Sequence, residues 1–462
     1  MSAVIEQAVR DARDSPAIAI AVGEESRPIV FGGAAGTVTV GRFRRQVHAL
    51  ASRLPEASHA INLCEDRYRF LLAFCAASLR GQPTLLPASR AADAVAQVQC
   101  RHPGAWCLVD EEASAAGPRH WRLPVVLPEA RRGTLRVAPR ALALVGFTSG
   151  STGVPAAHAK TWASLRTSTA QNLAALRHLW TGADTTHLVA TVPPQHMYGI
   201  ELSVLLPLLG GIAVHAGRPF FPHDIVAALH ETPAPRVLVT TPVHLRALLE
   251  GLATDPALAP PPLAGVVTAT APLPPELAIR AEQRLGCEVR EVFGSTETCV
   301  IASRRTASSP AFTPYLGVHL QPGPDGCSVH APQLEAPVVL ADFVDVHDDG
   351  RFELRGRHGD LLEIAGKRAS LGDLTRKLQS IPGVDDAVVF QLDEQGAGGV
   401  RRIAALAVAP GMDERALLAM LRTMVDPVFL PRPLRCVQAL PRNATGKLPR
   451  AELLALIHTP SH

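Results

Sequence analysis

The pattern of apolar and polar positions divides the chain into alternating short apolar runs and longer amphipathic stretches. Phe43 to Leu54 carries apolar residues at helical spacing, His59 to Cys64 reads as a strand, and Arg67 to Arg80 as a second helix closing near Gly81. Pro83 to Pro87 gives the next strand. Ala141-Leu142-Ala143-Leu144-Val145, Leu188 to Val192, Arg236 to Thr240 and Glu288 to Val292 read as strands. Such βα alternation predicts an α/β fold with parallel-rich sheets covered by helices. Leu202 to Val214, interrupted by Pro207, Gly210 and Gly211, is too short to span a bilayer and reads as a buried helix, a turn and a strand. The run 342–357 predicts two strands joined at Asp348-Asp349-Gly350. Beyond it, strands at Ala387 to Phe390 and Ile403 to Val408 and a helix over Asp413 to Met424 predict a small α+β domain.

Length turns this pattern into a domain count. At 462 residues the chain exceeds one ordinary core. It reads as an amino-terminal core over 1–356, with subdomains near 1–135 and 136–356, and a carboxy-terminal domain over 357–462. A hydrophobic fraction of 47% fills such cores, and a net charge of only +3 gives no reason to invoke nucleic acid. The eight cysteines form no Cys-x-x-Cys pair and read as reduced thiols, and early charges at Glu6, Arg10, Asp11 and Arg13 argue against a secretory signal. The expectation is a cytoplasmic protein without a membrane span.

Chemistry concentrates where strands end. After the run at 141–145 comes Gly146-Phe147-Thr148-Ser149-Gly150-Ser151-Thr152-Gly153-Val154-Pro155, and after that an apolar stripe (Trp162, Leu165, Leu173, Leu176, Trp180) at helical spacing. The segment therefore reads as a loop between a strand and a helix starting near Ala159. Glycines let its backbone approach a ligand and hydroxyls supply donors, which suits phosphates. It is not a Walker A loop, since no Gly-Lys-Ser/Thr follows at the required spacing. His196, Tyr198 and Gly199 lie just past Leu188 to Val192, at a strand end where ligands of open α/β sheets bind. Glu297, in Phe293-Gly294-Ser295-Thr296-Glu297-Thr298, is a hard oxygen donor suited to Mg2+.

Taken together, these motifs resemble the adenylate-forming superfamily of acyl- and aryl-CoA ligases, peptide-synthetase adenylation domains and luciferases. Thr148 to Pro155 is similar to its phosphate loop, with Ala156 where a lysine is usual and Lys160 as the nearest lysine able to serve instead. Phe293 to Glu297 is similar to its aromatic-Gly-x-Thr-Glu motif. The resemblance implies that Thr148, Ser149, Gly150, Ser151, Thr152, Gly153 and Lys160 bind ATP phosphates. It further implies that Ala271 and Pro272 form the adenine-edge turn, that Phe293 stacks on adenine, that Gly294, Ser295 and Arg357 belong to the ATP/AMP-binding set, that Thr296 meets the α-phosphate, that Glu297 holds Mg2+, and that Asp342 holds the ribose hydroxyls. His196, Tyr198, Gly199, Gly294 and Ser295 line the acid pocket, in which Met197 replaces the aspartate that amino-acid-activating relatives use for an ammonium. Leu440 to Arg450 resembles the closing motif whose lysine, Lys447, is catalytic together with Thr296 and His196; Asn443 stands where threonine is usual. A hinge is implied beyond Arg357, with Gly359 in place of its first aspartate, and the small domain swings about it as a mobile cap.

The resemblance narrows to compact bacterial ligases of aryl-polyene and xanthomonadin-type pigment pathways. It implies ATP and Mg2+, a carboxylic acid such as 3- or 4-hydroxybenzoate, and a pantetheine thiol on an acyl carrier protein as acceptor. Free CoA is the alternative acceptor, and a non-catalytic nucleotide-binding relative is the alternative outside the enzyme class.

Overall fold

A computed structural model describes the chain except residues 1–16, 34–35, 88–89, 111–118, 132, 149–155, 180–184, 324–325, 358–360, 365–366, 396–400, 444–445 and 459–462. Two compact units emerge, one of Met1–Pro310, Pro314–Val318 and Ala331–Ala336, the other of Ala311–Thr313, His319–His330 and Pro337–His462. The hairpin at 342–357 lies within the second unit.

Among the described residues the first unit holds two large mixed sheets, beside a short antiparallel pair of Ile18–Ala19 with Arg136–Val137. In chain order its elements are β1 (Pro28–Phe31), β2 (Val38–Thr39), α1 (Val40–Ala51), β3 (His59–Asn62), α2 (Arg67–Leu79), β4 (Thr84–Leu86), α3 (Ala92–Arg101), β5 (Ala105–Val109), β6 (His120–Arg122), β7 (Leu142–Thr148), β8 (Ala156–Thr161) and α4 (Trp162–Ala175). There follow β9 (His187–Ala190), β10 (Ala213–His215), α5 (Pro222–Glu231), β11 (Arg236–Thr240), α6 (Pro242–Thr254), β12 (Gly265–Thr268), α7 (Pro275–Leu285), β13 (Val289–Ser295) and β14 (Cys299–Arg304). One sheet runs β8-β7-β4-β3-β5-β6, parallel except for the β8–β7 pair. The other contains β14-β13-β12-β11-β9-β10-β1-β2, parallel from β13 to β1. Central strands carry unbroken apolar runs, Val237-Leu238-Val239 and Val266-Val267, as parallel strands covered on both faces do. Val189, Leu238, Val266 and Val289 meet Leu245, Leu248, Leu277 and Ala281 of the covering helices α6 and α7.

Side-chain caps set where helices begin. Asp66 accepts from Arg69 N at the head of α2, Thr161 from Ser164 N at α4, and Thr241 from His244 N at α6. The Thr161 cap and the β8 ladder correct the expected strand–loop–helix order. Residues 156–161 pair antiparallel with β7, and the helix starts only at Trp162. Pairing with an exposed strand edge satisfies the β7 backbone, and that gain outweighs the helix propensity of three alanines.

The second unit contains β15 (Asp342–Val346), β16 (Phe352–Arg357), β17 (Leu361–Ile364), β18 (Lys367–Ser370), α8 (Leu371–Gln379), β19 (Asp386–Gln395), β20 (Arg401–Val408), α9 (Glu414–Leu421), β21 (Leu434–Cys436) and α10 (Arg450–His458). The strands β19-β20-β21 form a sheet with apolar clusters on its faces, one built on Leu374, Leu378 and Leu417, another on Leu406, Leu453 and Ile457. Among the described residues no helix is long and apolar enough to cross a membrane.

A buried polar group ties β9 to β11 in the first unit. His244 Nδ1 lies 2.9 Å from Thr191 Oγ1, which lies 3.0 Å from Thr240 Oγ1. Burial, aided by the positive Arg218, lowers the His244 pKa to about 4. The unfolded chain therefore binds a proton between about pH 6.5 and 4 that the folded chain resists, and stability falls as pH drops through that window. The expected loss at this residue is about 3 kcal/mol. Urea melts at pH 7, 5.5 and 4 should show His244→Gln losing correspondingly less stability than the parent chain.

Candidate active site

Functional side chains of the first unit sit where strands β7, β9, β12 and β13 end. Thr148 closes β7. Ser149, Gly150, Ser151, Thr152 and Gly153 lie outside the described residues, and the chain returns along β8 with Ala156 opposite Thr148, His158 opposite Gly146 and Lys160 opposite Leu144. Strand alternation puts His158 and Lys160 on one face. His158 Nε2 lies 3.1 Å from Thr148 Oγ1 and 3.3 Å from Glu297 Oε1. Lys160, only 5% exposed, donates through its ammonium to the main-chain oxygen of Glu297.

The Glu297 turn is held from several sides. Ser295 N–H donates to Thr298 Oγ1 at 3.1 Å, and Thr298 N–H returns to Ser295 Oγ at 3.2 Å. Cys299 follows with φ +62°, a left-handed conformation unusual for a side chain with a Cβ. The buried Glu201 fixes the next residue, accepting Val300 N–H at 3.0 and 3.1 Å on its two oxygens. Glu201 also accepts from the Ser168 hydroxyl and from Asn172 Nδ2 at 3.3 Å. Burial raises its pKa, opposed by those donors and by the charge of Lys160. At Glu297 burial also pushes upward, but the Ser295 hydroxyl, a backbone N–H and the charges of His158 and Lys160 outweigh it, leaving the carboxyl below its ordinary value. Burial holds the His158 imidazole below its ordinary pKa.

Past the end of β9, His196 caps a helical segment that runs from Met197 through a π-helical stretch to Leu209, its Nδ1 accepting Tyr198 N–H at 3.3 Å. Gly199 is required there, because a Cβ would lie 2.0 Å from Pro193 O. Tyr198 is buried, and its hydroxyl donates to Val267 O of β12 at 2.8 Å. Beyond β12, Thr270 takes φ +81° ahead of the half-buried Ala271 and the exposed Pro272. That turn is tied down by Leu273 N–H donating to Glu291 Oε1 at 3.0 Å, while Arg304 pairs with Glu291 Oε2 at 2.7 Å. Phe293 and Gly294 flank a register shift between β13 and β14.

Asp342, Arg357 and Lys447 belong to the second unit. Asp342 opens β15 in register with Arg357 of β16. Lys447 is exposed on a braced loop. Arg442 forks onto Asp386 at 2.9 and 2.8 Å and donates to Gly446 O at 2.8 Å. Asn443 Oδ1 accepts Lys447 N–H at 2.9 Å, and Asn443 N–H donates to Lys447 O at 2.8 Å.

Among the described residues no group of three or more His, Cys, Asp or Glu side chains is placed to hold a metal ion. A Mg2+ ion needs only one or two carboxylates when phosphates and water complete its shell, and the ionised, one-third-exposed Glu297 fits that role.

The model of the family described as AMP-binding enzyme matches residues 23–321. The chain belongs to that family. A 4-coumarate–CoA ligase of Halorhodospira halophila is 30% identical over 329 residues, which is 65% of this AMP-binding enzyme and 73% of that protein. A sulfoacetate–CoA ligase of Cupriavidus necator is 28% identical over 354 residues, 68% and 67% of the two chains. An L-proline–[L-prolyl-carrier protein] ligase of Pseudomonas fluorescens matches 127 residues at 32% identity, 26% and 24% of the two chains. In fold, the AMP-binding enzyme is similar to O-succinylbenzoate coenzyme A synthetase from Bacillus subtilis in complex with AMP, with TM-score 0.76 at 18% identity over 96% and 97% of the chains. The AMP-binding enzyme is an ATP-dependent ligase that adenylates a carboxylic acid.

Sequence reasoning missed His158 and Glu201. Glu201 carried one usable signal, a carboxylate alone in the apolar run from Ile200 to Leu206. His158 carried none, because its partners lie far along the chain.

Gly146 of β7 lies against the Thr296 turn, and an alanine Cβ there would sit 2.5 Å from Thr296 Cγ2. Thr296 is β-branched and stiff, so it must shift with its backbone. Gly146→Ala should lower ATP–pyrophosphate exchange about 10–100-fold while far-UV circular dichroism stays unchanged.

Proposed function

We propose that this AMP-binding enzyme activates a hydroxybenzoate, the 3- or 4-hydroxy acid, and passes the acyl group to the pantetheine thiol of an acyl carrier protein. The observation that carries the adenylating part is the convergence of Thr148, from the phosphate-loop strand, with Glu297 through His158. A non-amino acid is supported by Met197, buried beside His196 where an ammonium-binding carboxylate would otherwise stand, and the aromatic class by the narrower resemblance to pigment-pathway ligases. The narrower resemblance to pigment-pathway ligases supports the carrier-protein acceptor.

A carboxylate is a poor acyl donor, because oxide would have to leave. Attack of its oxygen on the α-phosphorus of ATP forms the acyl–AMP bond and breaks the bond to pyrophosphate. The thiol sulfur then attacks the acyl carbon, AMP leaves, and the thiol proton goes to solvent. Both reactants of the first step are anions, so the protein's task is to hold them together and offset their repulsion. Thr148 and the phosphate loop cradle the β- and γ-phosphates, Thr296 donates to the α-phosphate, and His196 borders the acid. Lys447 sets its ammonium between the carboxylate and the α-phosphate, where charge builds. Held by Glu297, Mg2+ supplies charge neutralisation to the phosphates. Ala271, Pro272 and Phe293 seat adenine, Asp342 holds ribose, and Arg357 belongs to the same nucleotide site.

The similarity to 4-coumarate–CoA and sulfoacetate–CoA ligases favours a second reading, in which free CoA is the acceptor. Pyrophosphate exchange over a panel of acids, followed by product analysis with CoA and with holo carrier protein, decides between them. Exchange with hydroxybenzoates and acylation of the carrier protein are expected; exchange with no acid in the panel would overturn the assignment. Lys447→Ala should lower exchange about 10²–10³-fold with ATP affinity unchanged by equilibrium dialysis.

A further inference from the structure

Lys160 and His158 are the two basic residues of β8, on one face and about 7 Å apart along the strand. Both act on the same residue. We propose that they are positioning residues that grip Glu297 at its two ends, the imidazole at the carboxylate and the ammonium at the main-chain oxygen, and that Lys160 binds no phosphate. This rests on the reading of Glu297 as the Mg2+ carboxylate.

The geometry sets Lys160 apart from a phosphate ligand. Lys160 is 5% exposed, and its ammonium is aimed at the Glu297 carbonyl, to which it donates. Behind it stands Glu201, 2% exposed, whose oxygens hold Val300 N–H on the far side of the same turn. The turn is thus pulled from both flanks, by an ammonium at residue 297 and a carboxylate at residue 300. Buried charged donors and acceptors of this kind make strong, directional bonds, and removing one leaves its partner unsatisfied. His158 completes the grip at the other end of the side chain. With its ring nitrogen between Thr148 Oγ1 and Glu297 Oε1, it couples the end of β7 to the carboxylate. A glutamate held at its main-chain oxygen and at its carboxylate has its head group set in one orientation, which a cation with a strict octahedral shell requires.

The test separates the turn from the phosphates. In Lys160→Met, amide hydrogen exchange across residues 295–300 should quicken about tenfold while β12 amides, residues 265–268, stay as in the parent chain. Retention of Mn2+ in the ATP complex, read by electron paramagnetic resonance, should weaken about tenfold, and ATP affinity measured in EDTA should stay unchanged. A loss of metal-free ATP affinity with the turn's exchange unchanged would place the ammonium on a phosphate and overturn the proposal. His158→Phe, at a ring that is partly exposed, keeps the test open should Lys160→Met fail to fold; it should weaken Mn2+ retention, and His158→Gln, which keeps a donor, should restore part of it. Unchanged Mn2+ retention in His158→Phe would overturn the grip on the carboxylate. Glu297→Gln separates the two readings. If it leaves Mn2+ retention unaltered while Lys160→Met still loosens the turn, the metal assignment falls and the brace on the main chain stands.

Discussion

Adenylation makes two anions meet, and that repulsion is the constraint around which the site is arranged. Two like unit charges 4 Å apart repel by about 4 kcal/mol at an effective dielectric constant near 20, and a triphosphate multiplies the problem. Flexible side chains in water would lose their benefit to reorganisation; fixed donors keep it. Parallel strands supply the fixity, because their carboxyl ends all face one way and each can end in a different functional turn. Here β7 ends in Thr148, β9 leads to His196, β12 to Ala271 and β13 to Thr296.

Holding those turns still has a cost, which falls on buried polar groups. Glu201, Lys160 and Glu291 are almost fully buried, and each is satisfied by partners in the turn it supports. Such groups would destabilise the core if left unpaired. Glu291 does for the Ala271 turn what Glu201 and Lys160 do for the Glu297 turn: a carboxylate or ammonium inside the fold reaches a main-chain group at its edge. The left-handed Thr270 and Cys299 sit beside these anchors, where strain needs surrounding structure to persist.

What could be read from the sequence follows from the range of the forces involved. Arg236–Thr240 was legible as a strand because burial on both faces writes an apolar run, Val237-Leu238-Val239. The Asp348–Gly350 turn was legible from local turn chemistry. Residues 156–161 were not, since Ala-Ala-His-Ala-Lys-Thr favours a helix locally and becomes a strand only because β7 offers an edge. The same distance in sequence hid the site's bracing. Lys160 meets a carbonyl 137 residues away, and Glu201 an amide 99 residues away. Tyr198, expected to line the acid pocket, spends its hydroxyl on Val267 O, a partner that periodicity cannot reveal.

Departures from the family pattern raise the question of decay, and the Lys447 loop bears on it. Asn443, standing where threonine is usual, is not a neutral filler, since its amide oxygen takes Lys447 N–H and its own N–H takes Lys447 O. Arg442 then locks the loop to Asp386 with two parallel bonds, a geometry that loses little entropy because the guanidinium is planar and preorganised. An exposed ammonium on a loose loop would need no such frame. A sequence drifting without function has no reason to keep one, so the substitution at 443 reads as a different way of holding the same lysine rather than as its abandonment.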